Sequence, residues 1–202
     1  MNKIDHLNSV YINYLTPLLK WRVMDLESLR KECDAEPTYS HFARVIRKME
    51  KVNVLKGYRH PFNGKKYIFF SPFGEGQVAK ERNATAISKD SLIHDIKVSE
   101  ITRNFLRLGW ADNARLEHQL HNKRDFQAVF KVVPDALFEV WRDKHKYQVA
   151  FELELTQKSK QRIREKSKQY MISSNYDCVI YFFSKTVVMK TYIEEVKKAV
   201  GD

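Results

Sequence analysis

A chain of 202 residues with 43% hydrophobic content makes one or two globular domains with real cores, and excludes a disordered or fibrous chain. No apolar run approaches the length of a membrane span, and Asp5 and His6 interrupt any secretion-signal core, so the expectation is a cytoplasmic protein with no membrane partner. Thirty-six Lys and Arg against twenty-five Asp and Glu give a net charge of +11, a balance suited to contact with a polyanion, nucleic acid first.

In chain order, the first predicted helix runs from Ser9 to Arg22. Tyr11 and Tyr14 share one of its faces, where burial as core aromatics is the expected fate and service of Tyr14 as a covalent nucleophile the outside case. A second helix begins after Asp25, whose carboxylate can cap Leu26 to Cys33. Pro37-Thr38 opens a third, in which Phe42, Val45, Ile46 and Met49 recur at three- and four-residue spacing. That stripe leaves Tyr39, Ser40, His41, Arg44, Arg47, Lys48 and Lys51 outside the core. Two strand-like runs, Val54 to Tyr58 and Lys66 to Phe70, then flank Phe62-Asn63-Gly64-Lys65, where Asn-Gly predicts a tight hairpin turn with positive φ angles. Between Thr38 and Lys66 there are eight basic residues (Arg44, Arg47, Lys48, Lys51, Lys56, Arg59, Lys65, Lys66) against one acid, Glu50. More than half of the net charge is concentrated there.

The order helix, helix, basic helix, hairpin over roughly residues 7 to 80 resembles a winged helix-turn-helix. The resemblance implies that the third helix enters the major groove of double-stranded DNA and that the hairpin wing follows the backbone or minor groove. Tyr39, Ser40, His41 and Arg44 are then candidates for base edges. Arg47, Lys48, Lys51, Arg59, Lys65 and Lys66 are candidates for phosphates. The plainer reading is a solvated basic face, and winged helices also serve as protein-docking modules.

Gly74-Glu75-Gly76 and the polar run Lys80 to Asp90 read as a linker with a short helix in it, with domains expected at 1–85 and 86–202. An amphipathic helix is predicted from Ser91 to Trp110, burying Leu92, Ile96, Ile101, Phe105 and Leu108 and ending near Gly109. Strands follow at Arg115 to Leu120, Val132 to Trp141 and Tyr147 to Leu155, then a basic helix from Ser159 to Ser173, a strand from Cys178 to Phe183, and a helix from Lys190 to Val200. The unbroken apolar run Val179 to Phe183 predicts a central strand covered on both faces. Cys33 and Cys178 have neither disulfide-framework nor zinc spacing and are expected as buried thiols. His6, His60, His118, His121 and His145 show no ligand spacing.

Strand parity isolates three carboxylates. Val149, Phe151, Leu153 and Leu155 point into a core, which sends Glu152 and Glu154 out together on the other face, ~6–7 Å apart along the strand. Asp135, in Val133-Pro134-Asp135-Ala136, lies on the neighbouring run, and three such acids can hold a divalent metal that acts on a phosphodiester. Lys158, Arg162 and Lys166 form a four-residue stripe beside them, which Tyr170 continues, capping the site or the core. The competing reading is a solvated ion network of Glu152 and Glu154 with Lys158, Arg162 or Lys166.

Pro134-Asp135 on one strand beside a Glu-rich strand resembles the PD-(D/E)XK nuclease fold. More narrowly, His94 to Glu100, Pro134-Asp135-Ala136, Phe151-Glu152-Leu153-Glu154-Leu155-Thr156 and Arg164 to Tyr170, in that order, are similar to the replication-relaxation family. That family includes the MobC-type plasmid mobilisation relaxases, which also join a winged helix to a nuclease-like domain. The fold class implied is α/β, α+β overall. By position, Asp135 and Glu152 would be metal ligands for Mg2+ or Mn2+, and Glu100 would approach the site from the first helix of its domain. Glu154 departs from the commoner pattern, which has a lysine there; Lys158 or Lys166 is placed to supply that ammonium from the next helix. The function implied is recognition and nicking or relaxation of a DNA site in plasmid mobilisation or replication, alongside other relaxosome or replication proteins. The alternative is a non-enzymatic DNA-binding regulator or replication accessory protein with an inactive nuclease fold, as a homodimer.

Overall fold

A computed structural model describes residues 9–33, 36–78, 87–88, 90–120 and 132–201. The chain is mixed α and β, with two sheets, and divides into two compact units, Met1–Glu100 and Ile101–Asp202. The division falls inside one helix, and the linker expected up to Asp90 lies largely outside the described residues.

In the first unit, α1 (Ser9–Trp21) buries Leu15, Leu18 and Trp21. Arg22 ends it with φ 65, its N–H still donating to Leu18 O at 2.8 Å. The chain passes at once into the short β1 (Val23–Asp25) and then α2 (Leu26–Lys31). Asp25 serves both: its backbone lies in register with Tyr67, and its carboxylate accepts from Ser28 N at 3.1 Å as the expected N-cap. In α3 (Tyr39–Lys51), Phe42, Ala43, Val45, Ile46 and Met49 are buried, each large side chain contributing roughly 1.5–3 kcal/mol relative to exposure.

The hairpin β2 (Leu55–Arg59) and β3 (Lys66–Phe70) pairs Leu55 with Phe70 through Arg59 with Lys66, and β3 also pairs with β1, giving the order β1-β3-β2. Its connection differs from the two-residue Asn-Gly turn expected. Only Gly64 takes positive φ, at 66, because the loop 60–65 is closed by His60 N–H donating to Lys65 O and Gly64 N–H donating to His60 O. A short α4 (Pro72–Val78) follows.

The longest helix among the described residues, α5 (Leu92–Arg107), sets Leu92 and Ile96 against Val23, Tyr67 and Phe69 in the first unit. Ser99 Oγ donates to Val23 O at 2.8 Å there. Leu108, expected in the core, is exposed, since the helix ends at Arg107 and Gly109 turns the chain with φ 68.

The second unit has a four-stranded sheet in the order β4 (Asn113–Leu116), β5 (Ala136–Arg142), β6 (His145–Glu154), β7 (Cys178–Phe183). The first three strands pair antiparallel, and β7 runs parallel to β6. The strand expected at Arg115 to Leu120 stops at Leu116, and Glu117–Leu120 form a one-turn α6. Phe105 stacks on Phe138 with centroids 5.0 Å apart and also meets Phe151 and Phe182, which fills one face of the sheet. The other face carries α7 (Lys160–Met171), capped by Ser159, and α8 (Thr186–Val200), whose Val188 and Tyr192 pack with Ile163, Tyr181 and Phe183.

Two expectations fail at β7. It is an edge strand and only half covered, with Ile180 exposed, not a central strand buried on both faces. Cys178 at its start is therefore exposed, whereas Cys33 is buried as expected. Hydrophobicity selected the strand but could not place it in the sheet. Among the described residues no helix is long and apolar enough to cross a membrane.

Candidate functional site

Two groups of chemistry-bearing side chains stand out, one in each unit. The first is the outer face of α3. With Phe42, Val45, Ile46 and Met49 turned inward, Arg44, Arg47, Lys48 and Lys51 are exposed at helical spacing and line a surface groove with Thr38, Ser40 and His41. Arg44 Nη2 lies 3.1 Å from His41 Nδ1, and Arg47 Nε donates to Ala43 O at 3.1 Å. The one acid of the segment, Glu50, is drawn away: its Oε2 lies 2.6 Å from Lys66 Nζ. Like charges three and four apart repel by a few tenths of a kcal/mol per pair, a strain that a bound polyanion relieves. Tyr39 and Ser40 are exposed at the start of the helix, where they can reach outward.

On the hairpin, Lys65 is exposed and Arg59 is exposed with Nη1 donating to Gly64 O at 3.1 Å. Lys66 is not a free cation; its pairing with Glu50, half-buried on both sides, ties the hairpin to α3. Tyr14, the outside nucleophile candidate, is buried and meets Phe42 edge-on at 5.4 Å, so it belongs to the core as its helical spacing suggested.

The second group is the acid cluster. One step beyond the last β5–β6 pair, Ala136 with Phe151, the backbone brings Asp135 opposite Glu152. Asp135 lies just before β5, not within it, and its Oδ2 accepts from Leu153 N at 2.7 Å. The alternation predicted for β6 is correct, but the outward face is not open to solvent. Glu152 and Glu154 are buried, at 1% and 5% exposure, because α7 and α8 cover that face.

The two glutamates are taken by different helices. Glu152 Oε2 lies 2.6 Å from Lys166 Nζ, and Tyr170 Oη donates to Oε1, both partners coming from α7. Glu154 sits against the Tyr192 hydroxyl of α8 and raises its titration. Burial pushes the Glu152 carboxyl up to about 7, with Lys166 opposing and the Asp135 charge reinforcing the shift. Burial likewise raises the Tyr170, Tyr181 and Tyr192 hydroxyls, which face these carboxylates.

Of the two lysines able to supply an ammonium, Lys166 reaches the acids; Lys158 makes no ion pair with them among the described residues. Arg162 is exposed, and Arg164 turns to the buried Glu195 at 2.6 Å, which Lys198 meets at 2.9 Å. Glu100 does not join the cluster: it accepts from Tyr67 Oη at 2.7 Å within the first unit. Among the described residues, no three His, Cys, Asp or Glu side chains form a group able to hold a metal ion. With Asp135 bound to Leu153 N–H and Glu152 to Lys166 and Tyr170, the side chains as arranged do not fit a three-carboxylate site for Mg2+ or Mn2+.

Tyr192, Tyr181 and Glu195 were missed from the sequence. The first two read as ordinary apolar positions of a helix and a strand, and Glu195 as a solvated helix acid. Only the packing of α7 against α8 over β6 and β7 brings them to the carboxylates and to Arg164. Comparison with protein-family models, with characterised proteins and with solved structures finds no match to this chain.

Proposed function

We propose that this protein binds double-stranded DNA through a winged helix-turn-helix in its first unit, joined to a PD-(D/E)XK nuclease-like second unit. The observation that carries the reading is the α3 face. Arg44, Arg47, Lys48 and Lys51 project from one side of a helix whose other side is wholly core, without an acid among them. The hairpin after α3 stands where a wing belongs and carries Arg59 and Lys65. For the second unit, the element order α5-β4-α6-β5-β6-α7-β7, with β7 alone parallel, and Asp135 opposite Glu152 support the nuclease-like reading.

This reading takes two forms. One is a metal-dependent nickase or relaxase of plasmid mobilisation or replication, working with relaxosome or replication proteins. The other is a non-enzymatic DNA-binding regulator or replication accessory protein. The engagement of Glu152 by Lys166 and Tyr170 favours the second, because an acid held in a buried ion pair is a structural group until that pair opens.

The test uses the full chain with a labelled duplex and a supercoiled plasmid carrying the DNA that flanks its gene, in Mg2+ or Mn2+, beside Asp135→Asn. Salt-dependent duplex binding with intact plasmid in both lanes is the expected result. Nicking by the wild type alone selects the enzymatic form, and absence of duplex binding at low salt overturns the proposal.

A further inference from the structure

The tip of the β2–β3 hairpin presents a large apolar side chain to solvent. Phe62 is 93% exposed, more than any other large hydrophobic residue among those described. An aromatic ring left in water forgoes the burial that normally places phenylalanine inside, and at the tip of a hairpin it is free to enter a partner.

The loop holding it is ordered by its own hydrogen bonds. His60 Nδ1 accepts from Phe62 N at 3.3 Å and from Asn63 N at 3.4 Å, which puts the imidazole beneath the turn. Asn63 Oδ1 accepts from Lys65 N at 3.0 Å, and Asn63 Nδ2 donates to Tyr67 Oη at 3.2 Å, fastening the tip to β3. Gly64 supplies the single positive φ, and the open space around it leaves the tip unobstructed. Pro61 precedes the ring, and its fixed φ further limits the loop. The ring is thus displayed from a fastened turn, with the exposed cations Arg59 and Lys65 on either side.

We propose that Phe62 is a wedge that enters a base step of duplex DNA from the minor groove, unstacking it and bending the duplex, while Arg59 and Lys65 hold the flanking phosphates. The proposal rests on the DNA-binding reading above and adds to it how the hairpin engages and what it does to the duplex. An apolar side chain between cations is the combination that base-step insertion needs: the ring replaces lost base stacking, and the cations offset the phosphate charge brought together by the bend. A purely phosphate-tracking hairpin has no use for an exposed phenyl ring.

The test compares wild type, Phe62→Ala and Phe62→Leu on end-labelled duplexes containing flexible TA and CA steps, read by energy transfer between the ends. Affinity is measured in parallel for matched duplexes and for duplexes with one central mismatch. A wedge makes wild type bend the matched duplex and bind the mismatched one roughly tenfold tighter, because part of the unstacking is already done. Phe62→Leu keeps both properties. Phe62→Ala still binds matched duplex within about fivefold, with an unchanged salt slope, but neither bends it nor prefers the mismatch.

Bending and mismatch preference that persist in Phe62→Ala, or that are missing from wild type bound to duplex, overturn the wedge and leave DNA binding standing. Complete loss of binding in Phe62→Ala also overturns it, making Phe62 an affinity anchor. If wild type binds no duplex, the DNA-binding reading itself fails.

Discussion

The ammonium of Lys166 lies 2.6 Å from Oε2 of Glu152, in a side chain that is almost wholly buried. One helix thereby fixes the acid on which the nuclease-like reading turns, and Tyr170, one turn further along the same helix, donates to its other oxygen. Burial and partner oppose each other: the sheet and helices disfavour the charged carboxylate, while Lys166 favours it.

Burial wins at Glu152, so its folded-state value, about 7, lies above its unfolded one. The folded state then binds the proton more tightly, and the wild type loses stability as pH rises through the interval between the two values. Glu152→Gln removes that titration. Chemical denaturation from about pH 5 to about pH 8 should show wild type falling relative to the variant by about 2 kcal/mol. Parallel curves would rule out a raised Glu152.

Lys166→Met retains the aliphatic stem but leaves Glu152 without its counter-charge. The expected loss is small at acid and neutral pH, where the carboxyl can stay protonated, and grows to about 2 kcal/mol by about pH 9, where it would otherwise be charged. In Lys166→Met with Glu152→Gln, most of the loss should return, measured as a double-mutant cycle by urea unfolding. If the two losses simply add, the ion pair carries no coupling.

Arg44→Ala with Arg47→Ala alters only exposed positions, so thermal unfolding should move little. Duplex affinity at low salt should fall by tenfold or more, and the slope of log affinity against log salt should become shallower by about 1 to 2. Unchanged affinity would make the basic face a solvated surface or a protein-docking one.

Gly74 has no room for a side chain. A Cβ there would collide with the Val54 carbonyl, and its N–H donates to Ser71 Oγ at 2.9 Å, in a turn where Ser71 N also donates to Val54 O at 3.0 Å. Gly74→Ala should cost about 3 kcal/mol in the first unit, read as a lower melting temperature. Gly76→Ala, which meets open space, is the control and should leave it within about 0.5 kcal/mol.

Much was legible from local pattern alone. The Asp25 cap, the buried stripe and cationic face of α3, the two hairpin strands, the Ser159-led helix and the extent of β7 all follow from residue spacing, since helical and strand periods act within a few residues. The parity that put Glu152 and Glu154 on one face was also a local property, and it holds. What covers that face was not local. It depends on α7 and α8 packing over β6 and β7, contacts between residues far apart in the chain, and these turned an expected open acid pair into two separately held, buried side chains. The same dependence set β7 at the sheet edge, exposed Cys178, bound Glu100 to Tyr67 and spent Lys66 on Glu50. Sequence period determined which residues share a face; only tertiary packing decided which faces meet water, because burial is a property of what lies opposite.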